Sequence, residues 1–404
     1  MAVNKLDISM MEDVGTSANQ LVQRDGSGNF PAVDGSQLTG VAPFTSSASD
    51  PAIDTNPSDG VGTIWYNTTS GEGYVCTDAT AGANVWTNIG AGTGGIQPND
   101  GVLHGSSHGY TVGGKKPAAG SWAKTNIIDK FAFGSSSNST DVGDLTTVNW
   151  MASSSSAQSY GYSAGGDPSS SGPQISGNII QKWPTSTDGN STDVGDLDTG
   201  TCDRPAGHTS STAGYCAGGM GVSNTHLDKI QKYSFATDGN ATDVANLSVT
   251  RYGTAAADNT THGYTFGGYS TPSNAIDRFQ FSNDSDATDW ADLTSSRVRP
   301  GDAQSTTHGY IAGGYVLPST YVNIIEKFAF ASQSNATDVG DTLSAQAEGI
   351  AGHSTTTYGY ISGPYHHPEV AIDRIERWSF SSDGNSTDVG NLTVARYSTA
   401  GTQV

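Results

Sequence analysis

Apolar and polar positions alternate in short runs through the C-terminal three-quarters of the chain. Ala275-Ile276-Asp277-Arg278-Phe279-Gln280-Phe281 is one such run. Period-2 alternation marks a strand with one face buried. Before it stands His262-Gly263-Tyr264-Thr265-Phe266-Gly267-Gly268, a strand ended by glycines. Ahead of that, Arg251-Tyr252-Gly253-Thr254-Ala255-Ala256-Ala257 reads as a strand of small residues, and Ala287-Thr288-Asp289-Trp290-Ala291-Asp292-Leu293 as a short fourth strand. Sibling segments join strands three and four through Asp188-Gly189-Asn190, Asp238-Gly239-Asn240 and Asp383-Gly384-Asn385. Asp-Gly and Gly-Asn suit hairpins because they tolerate positive φ.

This unit repeats. A Gly-Tyr pair recurs with Tyr at 110, 162, 215, 264, 310 and 360, and in five copies a Gly-Gly follows two residues later. A Thr-Asp pair keeps step with it, with Asp at 141, 193, 243, 289, 338 and 388. Four antiparallel strands in about 50 residues make the blade of a β-propeller. The C-terminal Arg396-Tyr397-Ser398-Thr399-Ala400-Gly401-Thr402-Gln403-Val404 copies strand one and has no strands two to four after it. The first copy supplies strands two to four from about Ser107 onward, so the last strand is expected to complete the first blade and remove two open edges. The prediction is an all-β chain with six blades. The small residues of strand one are expected at the central channel, and the aromatics of strands two and three between blades. The units resemble kelch-type repeats, with Gly-Gly after strand two, an aromatic strand three and, at Trp290, a Trp in strand four; the other copies carry Val there. The resemblance covers about residues 100–404 and implies fold more than function.

Composition narrows the function. Eighteen Lys and Arg against thirty-nine Asp and Glu give a formal charge of −21, which opposes binding to phosphate backbones. No stretch approaches the roughly 18 apolar residues of a transmembrane helix, and the first residues lack a secretory pattern. Neither nucleic-acid binding nor membrane insertion is expected. Assembly in a cytoplasm is expected, with Cys76, Cys202 and Cys216 as ordinary thiols.

The N-terminal third divides into a segment at 1–45, a small β module at 46–95 with strands around Ile64, Tyr74 and Trp86, and a hinge that leads into 96–404. Residues 18–41 contain Leu21-Val22-Gln23-Arg24-Asp25-Gly26-Ser27-Gly28-Asn29-Phe30-Pro31-Ala32-Val33-Asp34-Gly35-Ser36-Gln37-Leu38-Thr39-Gly40. This string resembles the N-terminal attachment segment of bacteriophage tail-fibre and appendage proteins, especially those of marine and cyanobacterial phages. The resemblance implies a virion protein of the tail or neck, trimeric, docked on other virion proteins through that segment. The expected function is adsorption to a host-surface receptor, a glycan or a protein. Two rivals are a glycan-degrading appendage and a decorative head or neck fibre without receptor duty.

Candidate chemistry sits on the loops between strands two and three. These loops differ freely from copy to copy while the hairpins on the opposite face are nearly identical. The candidate receptor-binding residues are Lys115, Lys116, Trp122, Tyr269, Tyr315, Tyr321, Tyr365, His366 and His367. Aromatic rings with polar neighbours suit stacking on sugar C–H faces. Arg204, Arg251, Arg297 and Arg396 recur near the start of strand one. They read either as a cation ring at one channel mouth, suited to an acidic sugar, or as structural partners of the Asp-rich turns. His108, His262 and His308 recur at blade spacing and are expected to bond neighbouring strands rather than a metal. The Asp-Gly-Asn-x-Thr-Asp run has oxygen ligands but not the carboxylate spacing of a Ca²⁺ loop, and it resembles the Asp-box of sialidases, a structural hairpin. No cofactor and no catalytic group are predicted.

Overall fold

In an antiparallel pair the residues directly opposite share one face of the sheet. The glycine of each Gly-Tyr pair faces a third-strand aromatic: Gly109 faces Phe131, Gly161 faces Trp183, Gly214 faces Tyr233, Gly263 faces Phe279, Gly309 faces Phe328 and Gly359 faces Trp378. A Cβ at any of these glycines would strike that ring. The following tyrosine points to the other face and is buried in all six copies. This local fit recurs throughout an all-β chain.

The computed structural model describes residues 44–89, 101–118, 121–168, 177–198, 202–269, 274–318, 320–347, 349–366 and 370–404. The chain divides into two units, 1–98 and 99–404. The attachment-like string, the hinge at 91–100 and His367 lie outside the described residues.

In the first unit, β1 (Phe44–Ser47) runs parallel to β2 (Ile64–Asn67), and β3 (Gly73–Asp78) and β4 (Val85–Asn88) follow antiparallel. The sequence reading found three strands; the fourth, β1, carries too few apolar positions to announce itself. Tyr74, Cys76 and Trp86 are the buried core, with Trp65 packed against them. Trp65 meets Trp86 edge-on at 5.9 Å, so the pair is spent on packing.

The second unit consists mainly of six repeated antiparallel sheets. One sheet is Ala255–Asp258, His262–Phe266, Ala275–Gln280 and Thr288–Asp292, in sequential order. The first copy takes its strand one from the C-terminus: Ala400–Gln403 pairs with His108–Val112. Strand one is shorter at its start than the sequence reading had it, because Arg251–Thr254 forms a turn around Gly253 at φ +68°.

Aromatics pack from one sheet to the next. Tyr215 stacks on Phe281 at 5.1 Å and Tyr264 on Phe330 at 4.8 Å. Tyr110, Tyr264 and Tyr360 also donate their hydroxyls to backbone carbonyls of Thr185, Phe330 and Phe133 on the neighbouring sheet. The hairpins between strands three and four clasp the preceding sheet. Asn190 Oδ1 accepts the backbone N–H of Asp144 at 3.0 Å, and the N–H of Ser191 returns to the Asp144 carbonyl at 2.8 Å. The same two-bond clasp recurs with Asn240 on Asp196, Asp286 on Asn246, Asn335 on Asp292, Asn385 on Asp341, and Asn138 on Asn391. The repeated run is therefore an inter-sheet fastener as well as a turn.

Three of the four recurring arginines are corrected by their surroundings. Arg251, Arg297 and Arg396 are fully buried. They pair with Asp277, Glu326 and Asp129 on third strands, neither at a channel mouth nor with the Asp-rich turns. Removing one member of such a buried pair costs about 3–5 kcal/mol. The hairpin aspartates instead take third-strand lysines, as in Lys130–Asp188 at 2.8 Å and Lys232–Asp284 at 3.0 Å. No helix among the described residues is long and apolar enough to cross a membrane.

Candidate binding site

The six strands one line a cavity of about 110 Å³. They are Ala400–Gln403, Ser153–Ser156, Ala206–Thr209, Ala255–Asp258, Gly301–Gln304 and Ala351–Ser354, and each lies against the next. At one end their last residues form a hydrogen-bond circuit. The backbone N–H of Ser156 donates to Thr209 Oγ1, that of Thr209 to Asp258 Oδ2, and that of Asp258 to Gln304 Oε1. Gln304 N–H donates to Ser354 Oγ, Ser354 N–H to Gln403 Oε1, and Gln403 N–H to Ser156 Oγ. The residues at 101–105 cross this end. Val102 N–H donates to Ser156 O and Gly105 N–H to Ser354 O, while the Leu103 carbonyl accepts from the side-chain amides of Gln304 and Gln403.

At the other end a second circuit runs through residues in the left-handed region. Met151, Arg204, Gly253, Arg299, Gly349 and Ser398 have φ between +51° and +68°. Arg204 N–H donates to Met151 O, Gly253 N–H to Arg204 O, Arg299 N–H to Gly253 O and Gly349 N–H to Arg299 O. Thr399 N–H donates to Gly349 O, and Met151 N–H to Ser398 O. Four of these six positions are not glycine, and a left-handed L-residue costs roughly 1–2 kcal/mol. Turning each carbonyl toward the next strand offsets that cost.

This second end is also where the loops between strands two and three begin. The structure brings five of the candidate residues into two aromatic clusters. In the first, Tyr269 stacks on Tyr252 at 4.7 Å and meets Tyr315 at 5.8 Å, which meets Tyr321 at 6.0 Å. Tyr315 is only 6% exposed and serves as the packing core of that cluster. In the second, Trp122 and Tyr365 surround Tyr397, with ring centroids 5.0 and 4.6 Å from it. Lys115 Nζ lies 3.0 Å from the centroid of the Trp150 ring. Lys116 and His366 are half-buried on the same connections.

Sequence reasoning missed Tyr252, Trp150, Tyr397 and Arg299, which belong to the start of strand one rather than to a variable loop. The signal was present in the recurrence of Arg251-Tyr252-Gly253 and Arg396-Tyr397-Ser398. It was obscured because Arg204 shares its position with Gly253 and Arg299, two residues beyond the buried arginines. Arg204 has its Cζ 5.6 Å from the Tyr252 ring centroid and its Nε 3.6 Å from Asp203. Burial raises Asp203 to about 6, opposed by Arg204 and pushed further by Asp167. Lys124 pairs with Asp167 at 2.8 Å.

Midway along the cavity stand Ser154, Gly207, Ala256, Asp302, Gly352 and Gly401. Asp302 is the one charged residue of this girdle. Its Oδ2 accepts the Ala256 N–H at 3.0 Å, and burial raises its pKa to about 7. His208 bridges Asp258 at 2.7 Å and Thr265 at 2.8 Å, and all three are buried. His353 takes the equivalent place beside Ser362 and Thr111. His262 and His308 each contact the adjacent threonine hydroxyl at 2.8 Å, and His108 stands in its own sheet. Cys202 and Cys216 approach to 3.9 Å as buried free thiols. Among the described residues no His, Cys, Asp and Glu group is arranged to hold a metal ion. The chain matches no family model, and no curated protein matches it.

Proposed function

We propose that residues 101–404 form a closed six-bladed propeller on a bacteriophage virion appendage, and that its open mouth binds a host-surface receptor, a glycan first of all. Two hydrogen-bond circuits, each returning to the strand where it began, support the closed form. The receptor reading rests on one observation above the others. Aromatic rings from four separate two–three connections, all but Tyr315 half-buried, gather in two clusters at the cavity end opposite the one crossed by residues 101–105. Loops vary there on an invariant frame, the arrangement of a recognition surface. The string at 18–41 supports attachment to other virion proteins, and three copies on one fibre would raise weak sites to useful avidity. Binding alone, with no bond broken, accounts for the surface.

The test is adsorption competition with the purified full-length chain. Saturable binding to susceptible cells, with slowed adsorption of the phage that carries the protein, is expected. A folded chain that neither binds those cells nor slows adsorption would remove the receptor reading.

A further inference from the structure

We infer that Cys202 and Cys216 are a site of oxidative modification: peroxide joins them into a disulfide that fastens one sheet of the second unit where three others use an ion pair. In those three sheets a buried arginine just before strand one pairs with an acid of strand three: Arg251 with Asp277, Arg297 with Glu326 and Arg396 with Asp129. Cys202 holds the arginine's place before the strand Ala206–Thr209. Its carbonyl accepts the N–H of Gly166, as the Arg251 and Arg297 carbonyls accept those of Gly219 and Gly268. Gln231 holds the acid's place. It stands opposite Cys216, as Asp277 stands opposite Thr265, Glu326 opposite Ile311 and Asp129 opposite Thr111. With neither charge present, this sheet cannot form the ion pair. The two remaining sheets use other polar contacts at that place: Thr146 bonds Gln181, and Arg374 pairs with Glu376. The sheet of Cys216 holds two thiols whose sulfurs lie 3.9 Å apart.

The surroundings favour that bond. Both cysteines belong to one buried cluster, with Tyr162, Ile180 and Leu197 from the preceding repeat and Tyr233 and Phe235 from their own. The Cys202 thiol donates to the Gly218 carbonyl at 3.3 Å, and the Cys216 sulfur accepts the Ser153 hydroxyl at 3.5 Å. Sulfur is a weak donor and a weak acceptor, so little is lost when the two turn toward each other. A disulfide needs about 2.05 Å between sulfurs. The bond would close residues 202–216, which contain all of strand one, and tie the turn before that strand to strand two. The neighbouring Cys216 and burial both push the Cys202 thiol up. The thiolate is the reactive form, so the pair stays inert in reducing surroundings and reacts slowly with an oxidant. One thiolate attacks a peroxide oxygen and releases water, leaving a sulfenic acid; the second sulfur then displaces that hydroxyl as water and forms the S–S bond. Two thiols give up two hydrogens, and one hydrogen peroxide becomes two waters. On the virion reading, the chain is made in a reducing cytoplasm and works outside it, where such bonds persist.

The experiment exposes the reduced full-length chain to dilute hydrogen peroxide, then denatures it, alkylates the remaining thiols and maps the peptides by mass. Of the three free cysteines, Cys76 alone is expected to be alkylated. Cys202 and Cys216 should be recovered as one cross-linked species that a thiol reductant separates. The unfolding temperature is expected to rise by about 5 °C with peroxide and to return with the reductant. Cys216→Thr supplies the residue type that Thr111 and Thr265 provide at the same place in two other sheets. That variant should fold and show no rise with peroxide, and Cys202→Ser should behave alike. Three alkylated cysteines after peroxide, or sulfinic acid on Cys202 or Cys216 without a cross-link, would overturn the inference. So would a rise in unfolding temperature that Cys216→Thr retains. None of these readouts involves receptor binding, so the receptor reading stands or falls separately.

Discussion

At the scale of single residues, the cavity is built from positions that carry almost no side chain, and the exceptions define it. Asp302 stands in a girdle otherwise made of Ser, Ala and Gly, and burial lifts it to about 7. An ordinary aspartate ionises near 3.9. Between those values the native chain holds more protons than the unfolded chain, so this group lowers stability as pH rises through that window. Asp302→Asn removes the ionisation and keeps an oxygen for the Ala256 N–H. The variant is expected to gain stability on the native chain as pH rises, reaching about 1–3 kcal/mol near pH 8, and to converge with it below the ordinary carboxylate range. Urea titrations at several pH values check this; a difference independent of pH contradicts it. The left-handed positions show why such details escape the sequence. Gly253 and Gly349 announce positive φ, but Met151, Arg204, Arg299 and Ser398 do the same work without announcing it. The arginines consequently read as one recurring set when they are two: a buried set paired with third-strand acids, and an outer set at the mouth.

At the scale of elements, the repeat made nearly everything legible. Gly-Tyr marks strand two because the glycine faces an aromatic ring, and Thr-Asp marks strand four. Both follow from local geometry, which a period of about 50 residues reports six times over. What stayed hidden is reciprocal contact between elements far apart in sequence. The hairpin Asn was readable as a turn residue, whereas its acceptor role toward the preceding sheet was not; in Asn138 the N–H it accepts belongs to Asn391. The strand with the greatest consequence is Ala400–Gln403. It pairs with His108–Val112, and Gln403 bonds both Ser354 and Ser156. A chain ended at Thr399 leaves the first sheet with an open edge and breaks the circuit in two places. At roughly 2–4 °C per kcal/mol for domains of 150–250 residues, losing a ladder and two further bonds should lower the melting temperature by about 10 °C or more and promote association through the new edge. Scanning calorimetry with light scattering measures both. Melting indistinguishable from the full chain would mean that this strand does not close anything.

At the scale of the whole second unit, its two ends are built differently. The hairpin end is regular and acidic, and it fastens sheet to sheet through the same two bonds in each copy. The other end is irregular and aromatic, it carries Lys115, Lys116, Lys124, Arg204 and Arg299, and it departs from the repeat wherever a loop joins strands two and three. That division was visible in the sequence as a contrast between constant and variable connections. Which side chains meet at the mouth was not visible, because Tyr252 and Tyr397 enter it from strand one. The direct measurement is a blocking experiment on the full-length chain. Cysteine is placed either at Thr320, exposed on a two–three loop, or at Ser137, exposed on a hairpin, and each is coupled to a bulky polymer. The native Cys76, Cys202 and Cys216 are buried and should not react. The account predicts that polymer at Thr320 lowers binding to susceptible cells tenfold or more while polymer at Ser137 leaves it unchanged. Binding lost only from the Ser137 conjugate, or kept by both, would contradict the claim that the open mouth is the receptor surface.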